Sequence, residues 1–145
     1  MIEEAYDLVI RVNPQPDESL VGRVFLRDRL VVVASPACRD PQAATPAGKL
    51  RVVAKPVLSL SSFIMVRDAV RAGVGAARLP LSLASSDLAT GRLVSWGEVE
   101  GFQTVVWALY PTRRLLSARV AAFLEYLKAA FPQGTPKELA AYIEQ

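Results

Sequence analysis

Short runs of apolar, β-branched residues alternate along this chain with segments of helical periodicity, and this alternation limits the possible folds more than any other feature. Asp7–Val12, Arg29–Ala34 and Gln103–Tyr110 are strand candidates, and a proline follows each of them within two residues. Between and after them lie segments with N-cap residues and apolar positions three and four apart, which predict helices. Strands that alternate with helices are typical of the α/β class, so we expect an α/β fold.

The first third of the chain carries most of the strand signals. Asp7–Val12 is almost continuously apolar after Asp7, which predicts a strand of a parallel sheet that is buried on both faces. Leu20–Leu26 and Arg29–Ala34 predict two further strands. The second of these ends at Ser35-Pro36, because proline restricts the backbone of the residue before it.

The middle of the chain is less regular. Cys38–Lys49 is rich in proline, alanine, glycine and threonine and has no apolar period, which predicts a loop. Leu50–Ala54 and Val57–Leu60 are short strand candidates that Pro56 separates. We therefore expect at least one of them to lie at the edge of a sheet.

The helices have start and stop signals. Ser62 is a predicted N-cap for a helix that Gly73 ends, and Pro80–Leu88 predicts a shorter helix. Thr135–Glu138 is a capping box, with proline at the first turn, for the last helix. Ser117 caps a helix whose predicted apolar face comprises Val120, Phe123, Leu124, Leu127 and Phe131.

The residue content narrows the chemistry. With 145 residues, 52% of them hydrophobic, the chain has the size of one domain and enough apolar surface for a core. It contains no histidine and one cysteine, Cys38, which excludes Ser-His-Asp catalysis, Cys/His zinc sites and an internal disulfide. The net charge of +3 is a mild excess that does not indicate nucleic-acid binding. We expect no cofactor and no metal.

The sequence pattern predicts neither a membrane-spanning segment nor a signal peptide. The longest apolar runs are far shorter than the roughly 18 residues that cross a bilayer. The chain starts with the acidic stretch Met1–Glu4, whereas a signal peptide starts with basic residues and an apolar block. We therefore expect a cytoplasmic protein that makes no membrane contact.

Four residues are candidates for binding an anion. Arg11 lies near the carboxyl end of the first predicted strand, where open α/β sheets bind ligands. Ser35 ends a strand at a predicted crossover between two halves of the molecule. Ser61 and Ser62 precede a helix whose N-terminal amides can hold a carboxylate.

Each candidate also has a structural alternative. Arg11 can be solvated or can pair with Asp7 or Asp17. Ser35 can cap the next turn. Ser61 and Ser62 can have a purely structural role, since N-capping of the helix needs just one of the two hydroxyls. The sequence leaves both interpretations open.

Several segments, in order, resemble the effector-binding domain of LysR-type transcriptional regulators. The run Asp7–Val12 resembles that family's Asp-x-x-Ile-Arg strand, and the Ser-Leu stretch after it matches Ser19-Leu20. The most specific segment is Val70–Pro80, which is similar to the family's Ala-Gly-x-Gly-x-x-x-x-Pro element. Further segments that match in order are Val31–Pro36, Leu88–Val94, Val106–Pro111 and Leu116–Leu127.

The resemblance implies two α/β lobes with mixed sheets, like those of a periplasmic binding protein, that close on a small-molecule effector. We expect residues 1–34 and 103–145 to form the first lobe and the crossover strands, and residues 35–102 to form the second lobe. The family's helix-turn-helix and the opening strands of its first lobe have no counterpart before Met1. The resemblance thus implies an incomplete first lobe and no direct nucleic-acid contact by this chain.

The resemblance also implies a sensor and not an enzyme. We expect the effector to be a small anion such as a carboxylate, bound through Arg11, Ser35, Ser61 and Ser62. An unfinished sheet exposes an edge strand, so we expect self-association as a homodimer or larger oligomer. Two alternatives are a fragment that dimerises without a ligand and a small α/β hydrolase that uses Ser61 or Cys38 with Lys55 as base.

Overall fold

The computed structural model describes residues 7–38, 55–111 and 116–143. Four strands and four helices occupy these ranges. Along the chain they are β1 (Val9–Val12), β2 (Leu20–Ala34), α1 (Phe63–Arg71), β3 (Ala77–Pro80), α2 (Leu81–Thr90), β4 (Val94–Pro111), α3 (Ala118–Ala130) and α4 (Pro136–Ile143).

The strands form one sheet in the order β1-β4-β2-β3, and every pairing in it is antiparallel. Its centre is the long pair of β2 and β4, which runs from Leu20 opposite Pro111 to Ala34 opposite Val94. The combination of strands and helices confirms the predicted α/β class, but the sheet of the described residues is antiparallel throughout, whereas mixed sheets were expected.

The environment predicted for the first strand is wrong. Among the described strands β1 pairs only with β4, antiparallel, and Ile10 and Val12 keep 45% and 58% of their surface exposed. An unbroken apolar run indicates a strand, but it does not show whether other parts of the chain cover the two faces of that strand. The sequence therefore predicted the strand correctly and its burial incorrectly.

Leu20–Leu26 and Arg29–Ala34 are one strand and not two. β2 continues through Arg27, Asp28 and Arg29, with register shifts between Val24 and Leu26 and between Arg29 and Val31. The charged residues do not interrupt it because each has a suitable environment. Asp28 is buried and hydrogen-bonded to Ser82, whereas exposed Arg29 forms an ion pair of 3.2 Å with Glu98.

The strand predicted at Val57–Leu60 is absent, and these residues form an irregular segment that leads into α1. Val57 is 76% exposed, so this segment buries little apolar surface against the sheet. The other candidate, Leu50–Ala54, and most of the predicted loop at Cys38–Lys49 lie outside the residues that the structure describes.

The helix starts predicted from capping residues are confirmed. Ser62 Oγ accepts a hydrogen bond of 3.2 Å from the Ile64 amide, and Ser117 Oγ accepts one of 3.2 Å from Val120. In α4, Glu138 accepts a hydrogen bond of 2.9 Å from the Thr135 amide. These bonds satisfy amides that have no partner within the first turn of a helix.

Two apolar clusters lie towards opposite ends of the β2–β4 pair. In the first, β2 contributes Val31 and Val33, which pack with Val70, Leu79, Ala84 and Leu93. In the second, Ala108 of β4 packs with Val120, Leu124 and Leu127 of α3. Phe123 was predicted on the buried face of α3 but is 41% exposed, because the buried face follows the narrower stripe 120-124-127.

Candidate functional site

A cleft of about 770 Å³ lies at the middle of the sheet, between the two clusters. Its floor includes Leu26, Asp28 and Leu30, which lie along β2 between Phe25 of one cluster and Val31 of the other. Phe63 of α1 and Leu83 of α2 belong to the same lining. Other residues around the cleft are Val12, Asn13, Arg78, Pro80, Ser82, Phe102, Thr104, Val106, Leu139 and Ile143.

Most of the cleft surface is apolar, and three of its polar side chains, Asn13, Asp28 and Ser82, already bond to protein groups. Asp28 Oδ2 accepts a hydrogen bond of 2.5 Å from Ser82 Oγ, and its Oδ1 accepts one of 2.8 Å from the Arg29 amide. Asn13 Oδ1 accepts a hydrogen bond of 2.8 Å from the Val105 amide, and Asn13 Nδ2 donates to Gln103. Asp28 therefore links α2 to β2, and Asn13 links the end of β1 to β4.

Arg78 is the cation of the cleft. It lies on β3, opposite Val32 of β2, and its side chain lines the cleft while remaining solvent-exposed. Within the described ranges, no carboxylate lies within ion-pair distance of its guanidinium. A guanidinium beside an apolar cavity can bind a carboxylate through two parallel hydrogen bonds.

None of the four predicted site residues belongs to the cleft lining; three of them lie beside residues that do, whereas Ser35 lies at the end of β2, next to Gly73. Arg11 is on β1, exposed and opposite Trp107, and its neighbour Val12 lines the cleft. Ser61 and Ser62 precede α1, whose first residue, Phe63, lines the cleft. Whether these residues contact a ligand stays a prediction.

The structural alternatives describe what several of these residues do. Ser62 is the N-cap of α1. The buried Ser35 starts a turn in which its carbonyl accepts a hydrogen bond of 3.0 Å from the Cys38 amide.

The pairing alternatives for Arg11 are less direct. Asp7 pairs with Arg119 at 3.8 Å. The pKa of Asp17 is lowered, first by the hydrogen bond from the Ser19 hydroxyl and to a smaller extent by the positive charge of Arg11.

Sequence reasoning missed Arg78 and the contribution of α4. Leu139 and Ile143, four positions apart on α4, line the cleft, and Ala140 between them is buried. Their spacing indicates one apolar helix face but not what that face covers. Arg78 had a signal of its own, since it alternates with buried Leu79 in the short strand before Pro80.

The described ranges contain neither a metal-binding cluster nor a membrane-spanning helix. No group of histidine, cysteine or carboxylate side chains there is arranged to hold a metal ion. No helix among these residues is long and apolar enough to cross a membrane.

Comparison with known proteins identifies the family. Residues 40–132, well over half of the chain, match the family described as LysR substrate binding domain. The chain belongs to this family. LysR substrate-binding domains are parts of transcriptional regulators and are not enzymes, so the hydrolase alternative with Ser61, Cys38 and Lys55 is wrong.

A curated relative and solved structures agree with the family. A probable HTH-type transcriptional regulator LtrA of Klebsiella pneumoniae is 26% identical over 162 aligned positions, which cover 90% of this chain. The chain spans about half of that relative, 52% of its length.

The solved structures share the fold. The CrgA regulatory domain of Neisseria meningitidis matches with a TM-score of 0.69 and 19% identity, over 86% of this chain and 75% of that one. The full-length virulence activator AphB of Vibrio cholerae matches with a TM-score of 0.72 and 19% identity, over 87% and 52%. These similarities confirm the predicted periplasmic-binding-protein-like fold of LysR regulatory domains.

Proposed function

We propose that this LysR substrate-binding domain senses a small apolar carboxylate, which binds in the cleft between the two apolar clusters with its charged group on Arg78. The observation that carries the proposal is the position of Arg78: an exposed guanidinium that lines a mainly apolar cavity has no carboxylate of the described ranges within ion-pair distance. A ligand with one carboxylate and an apolar body complements both features.

The size and lining of the cleft support a small organic ligand. Its volume of about 770 Å³ lies within the range of about 300–1,000 Å³ that is usual for such sites. Phe63, Phe102 and Leu139 provide apolar surface from three separate elements. Burial of an apolar ligand body against them supplies binding free energy at roughly 25 cal/mol per Å².

The position of the cleft also supports a sensing role. Its walls come from β2, which contributes residues to both clusters, from β4, and from α1, α2 and α4 around them. A ligand that contacts these elements together favours the arrangement in which they lie closest. Binding would thereby shift the balance between two arrangements of the halves, assigned to residues 1–34 with 103–145 and to residues 35–102. In a LysR-type regulator, this shift would change transcription.

The test is calorimetric titration with phenylacetate and 4-methylpentanoate, each compared with its neutral amide. We expect the acids to bind and the amides to bind at least about tenfold more weakly, because a charge-assisted hydrogen bond contributes roughly 1.5–3 kcal/mol. Arg78→Gln should weaken acid binding by about the same factor. The control is Arg119→Gln, since Arg119 is 89% exposed and lies outside the cleft.

Two results would contradict the proposal. One is equal affinity of the acids for the Arg78→Gln variant and the unmodified protein. The other is equal affinity of acids and amides. The same titration on Arg11→Ala, Ser35→Ala and the double variant of Ser61 and Ser62 tests whether those predicted residues add contacts; a loss confined to Arg11→Ala would move the anion partner to β1.

We also propose that the chain self-associates through the exposed side of β1. β1 pairs with β4 along one edge, and within the described ranges no strand pairs with its other edge. Ile10 and Val12 on this strand are 45% and 58% exposed. An unpaired edge with exposed apolar residues is a template for pairing with a second chain. This feature also supports the alternative role as a dimerisation module, which binds no ligand.

A further inference from the structure

A second cavity, of about 360 Å³, lies on the other side of Leu26 from the cleft. It is bounded by β2 between Arg23 and Arg27, by the last turns of α3 and by the segment 131–134 that joins α3 to α4. Among the described residues, Leu26 is the one that lines both cavities. The second cavity is therefore separate from the proposed effector cleft.

The floor of the second cavity is apolar, and the charged residues of the described ranges that line it are all cations. Phe25, Leu127 and Phe131 contribute apolar surface. Arg23, Arg27 and Lys128 are the charged residues of the lining, and each is solvent-exposed. No carboxylate of the described ranges lies within ion-pair distance of any of these three cations.

The cavity is held in shape by contacts between segments far apart in the sequence. The Arg27 amide donates a hydrogen bond of 2.9 Å to the Gly134 carbonyl, which attaches the segment 131–134 to β2. The rings of Phe25 and Phe131 lie 5.6 Å apart, centre to centre. At Gly134 the approach is so close that a Cβ atom would lie 2.8 Å from the Phe25 carbonyl oxygen. A cavity held in this way requires little reorganisation to accept a ligand.

Three like charges around an apolar cavity favour a ligand of opposite charge with an apolar body. Each unpaired cation gains free energy from an anion, and mutual repulsion between the three makes the gain larger when one anion is shared. The volume is at the lower end of the usual range of about 300–1,000 Å³ for ligand sites, which favours a short ligand. A polyanion such as DNA matches the charges but leaves the apolar floor unused.

We propose that this cavity is a second ligand site, which binds a small amphipathic anion of the medium-chain carboxylate type. The carboxylate lies against Arg23, Arg27 and Lys128, and the alkyl chain packs on Phe25, Leu127 and Phe131. The site does not depend on the proposed effector cleft, because the cations of the two cavities are different residues.

The experiment uses the full chain and octanoate, with octanamide as the uncharged comparison. The Gly134 amide lies in the lining of the second cavity, so its chemical shift in a 15N–1H spectrum reports occupancy there. We expect octanoate to shift this resonance to saturation. The double variant Arg23→Gln with Arg27→Gln should raise the dissociation constant by about tenfold or more.

Two control variants make the test specific. Arg29→Gln removes an arginine of the same strand that pairs with Glu98 and lies outside the lining, so octanoate affinity at Gly134 should not change. Arg78→Gln should leave the Gly134 titration unchanged even if it abolishes binding in the cleft. If Arg78→Gln leaves acid binding in the cleft unchanged while octanoate still titrates Gly134 with an affinity that depends on Arg23 and Arg27, the cleft proposal is wrong and the second site stands.

Three results would overturn the second site. They are an unchanged dissociation constant in the double arginine variant, equal binding of octanamide, and the absence of any shift at Gly134. If a DNA duplex shifts the resonances around Arg23 and Arg27 while octanoate does not, the cations form a polyanion-binding surface and the proposal is wrong.

Discussion

Asp87 is completely buried on α2, and two arginines from different elements compensate its charge. Arg71 Nε of α1 lies 2.6 Å from Oδ2, and Arg92 Nε, just after α2, lies 3.0 Å from Oδ1. A buried carboxylate is tolerated only with such partners. The Leu93 amide also donates to the Asp87 carbonyl at 3.1 Å. This single residue thus joins α1, α2 and the start of β4.

At the residue scale, two glycines with positive φ allow a matched test. Gly134 has φ 63° and Gly91 has φ 78°, but a Cβ at Gly134 would lie 2.8 Å from a backbone oxygen, whereas nothing lies within 4 Å at Gly91. Gly91→Ala should cost about 1 kcal/mol of unfolding free energy from backbone strain alone. Gly134→Ala should cost about 3 kcal/mol, since the clash adds to the strain.

Urea unfolding of the two variants measures the difference. Because both substitutions add the same methyl group at a left-handed position, the difference isolates the contact with β2. Equal losses of stability would show that the segment 131–134 moves away from Phe25 without cost.

At the element scale, α4 forms part of the cleft wall, and its start depends on a charged capping box. Glu138 accepts hydrogen bonds from the Thr135 amide at 2.9 Å and the Thr135 hydroxyl at 3.0 Å. The pKa of Glu138 is lowered from its ordinary value of 4.5, chiefly because the Thr135 backbone amide donates to the carboxylate. The ionised form therefore stabilises the folded state.

This shift predicts how acid acts on α4. A lowered folded-state pKa means that the stabilisation is complete above the unfolded value of 4.5 and is lost as the pH falls below it through the folded value. Glu138→Gln keeps a hydrogen-bonding side chain but no charge. We expect the variant to be less stable than the unmodified protein near neutral pH and to lose less stability on acidification.

Urea midpoints at about pH 7 and about pH 3.5 provide the measurement. Lys137→Gln is a suitable control, because it changes one charge beside Glu138 without touching the capping box. Parallel pH dependence in the Glu138→Gln variant and the unmodified protein would contradict the assignment.

At the scale of the whole molecule, the proposed self-association through β1 predicts the effect of a charge on that strand. Ile10→Lys places a charge on the exposed face of the edge strand, and charges on edge strands disfavour pairing between sheets. We expect the unmodified chain to elute as a dimer or larger species and the variant to shift towards the mass of one chain. Size-exclusion chromatography with light scattering, over a range of concentrations, checks this.

The control for this prediction is Val57→Lys, which adds the same charge at a residue that is 76% exposed and outside the sheet. A single-chain mass for the unmodified protein at every concentration would rule out self-association. An unchanged oligomer in the Ile10→Lys variant would place the contact elsewhere.

The parts of the fold that depend on near neighbours were predictable from the amino-acid sequence. The starts of α1, α3 and α4 follow from Ser62, Ser117 and Thr135, because each cap bonds to an amide two or three residues away. The ordered motifs around Val70–Pro80 likewise indicated the LysR family, which the match over residues 40–132 establishes.

The tertiary structure alone decided what each of these elements faces. It placed β1 at a sheet edge and joined two predicted strands into β2. It also brought Arg78 together with Leu139 and Ile143 in one cleft, across more than sixty positions of sequence. Burial and cavity lining are sums over residues distant in the chain, and periodicity or capping within a few positions contains no information about them.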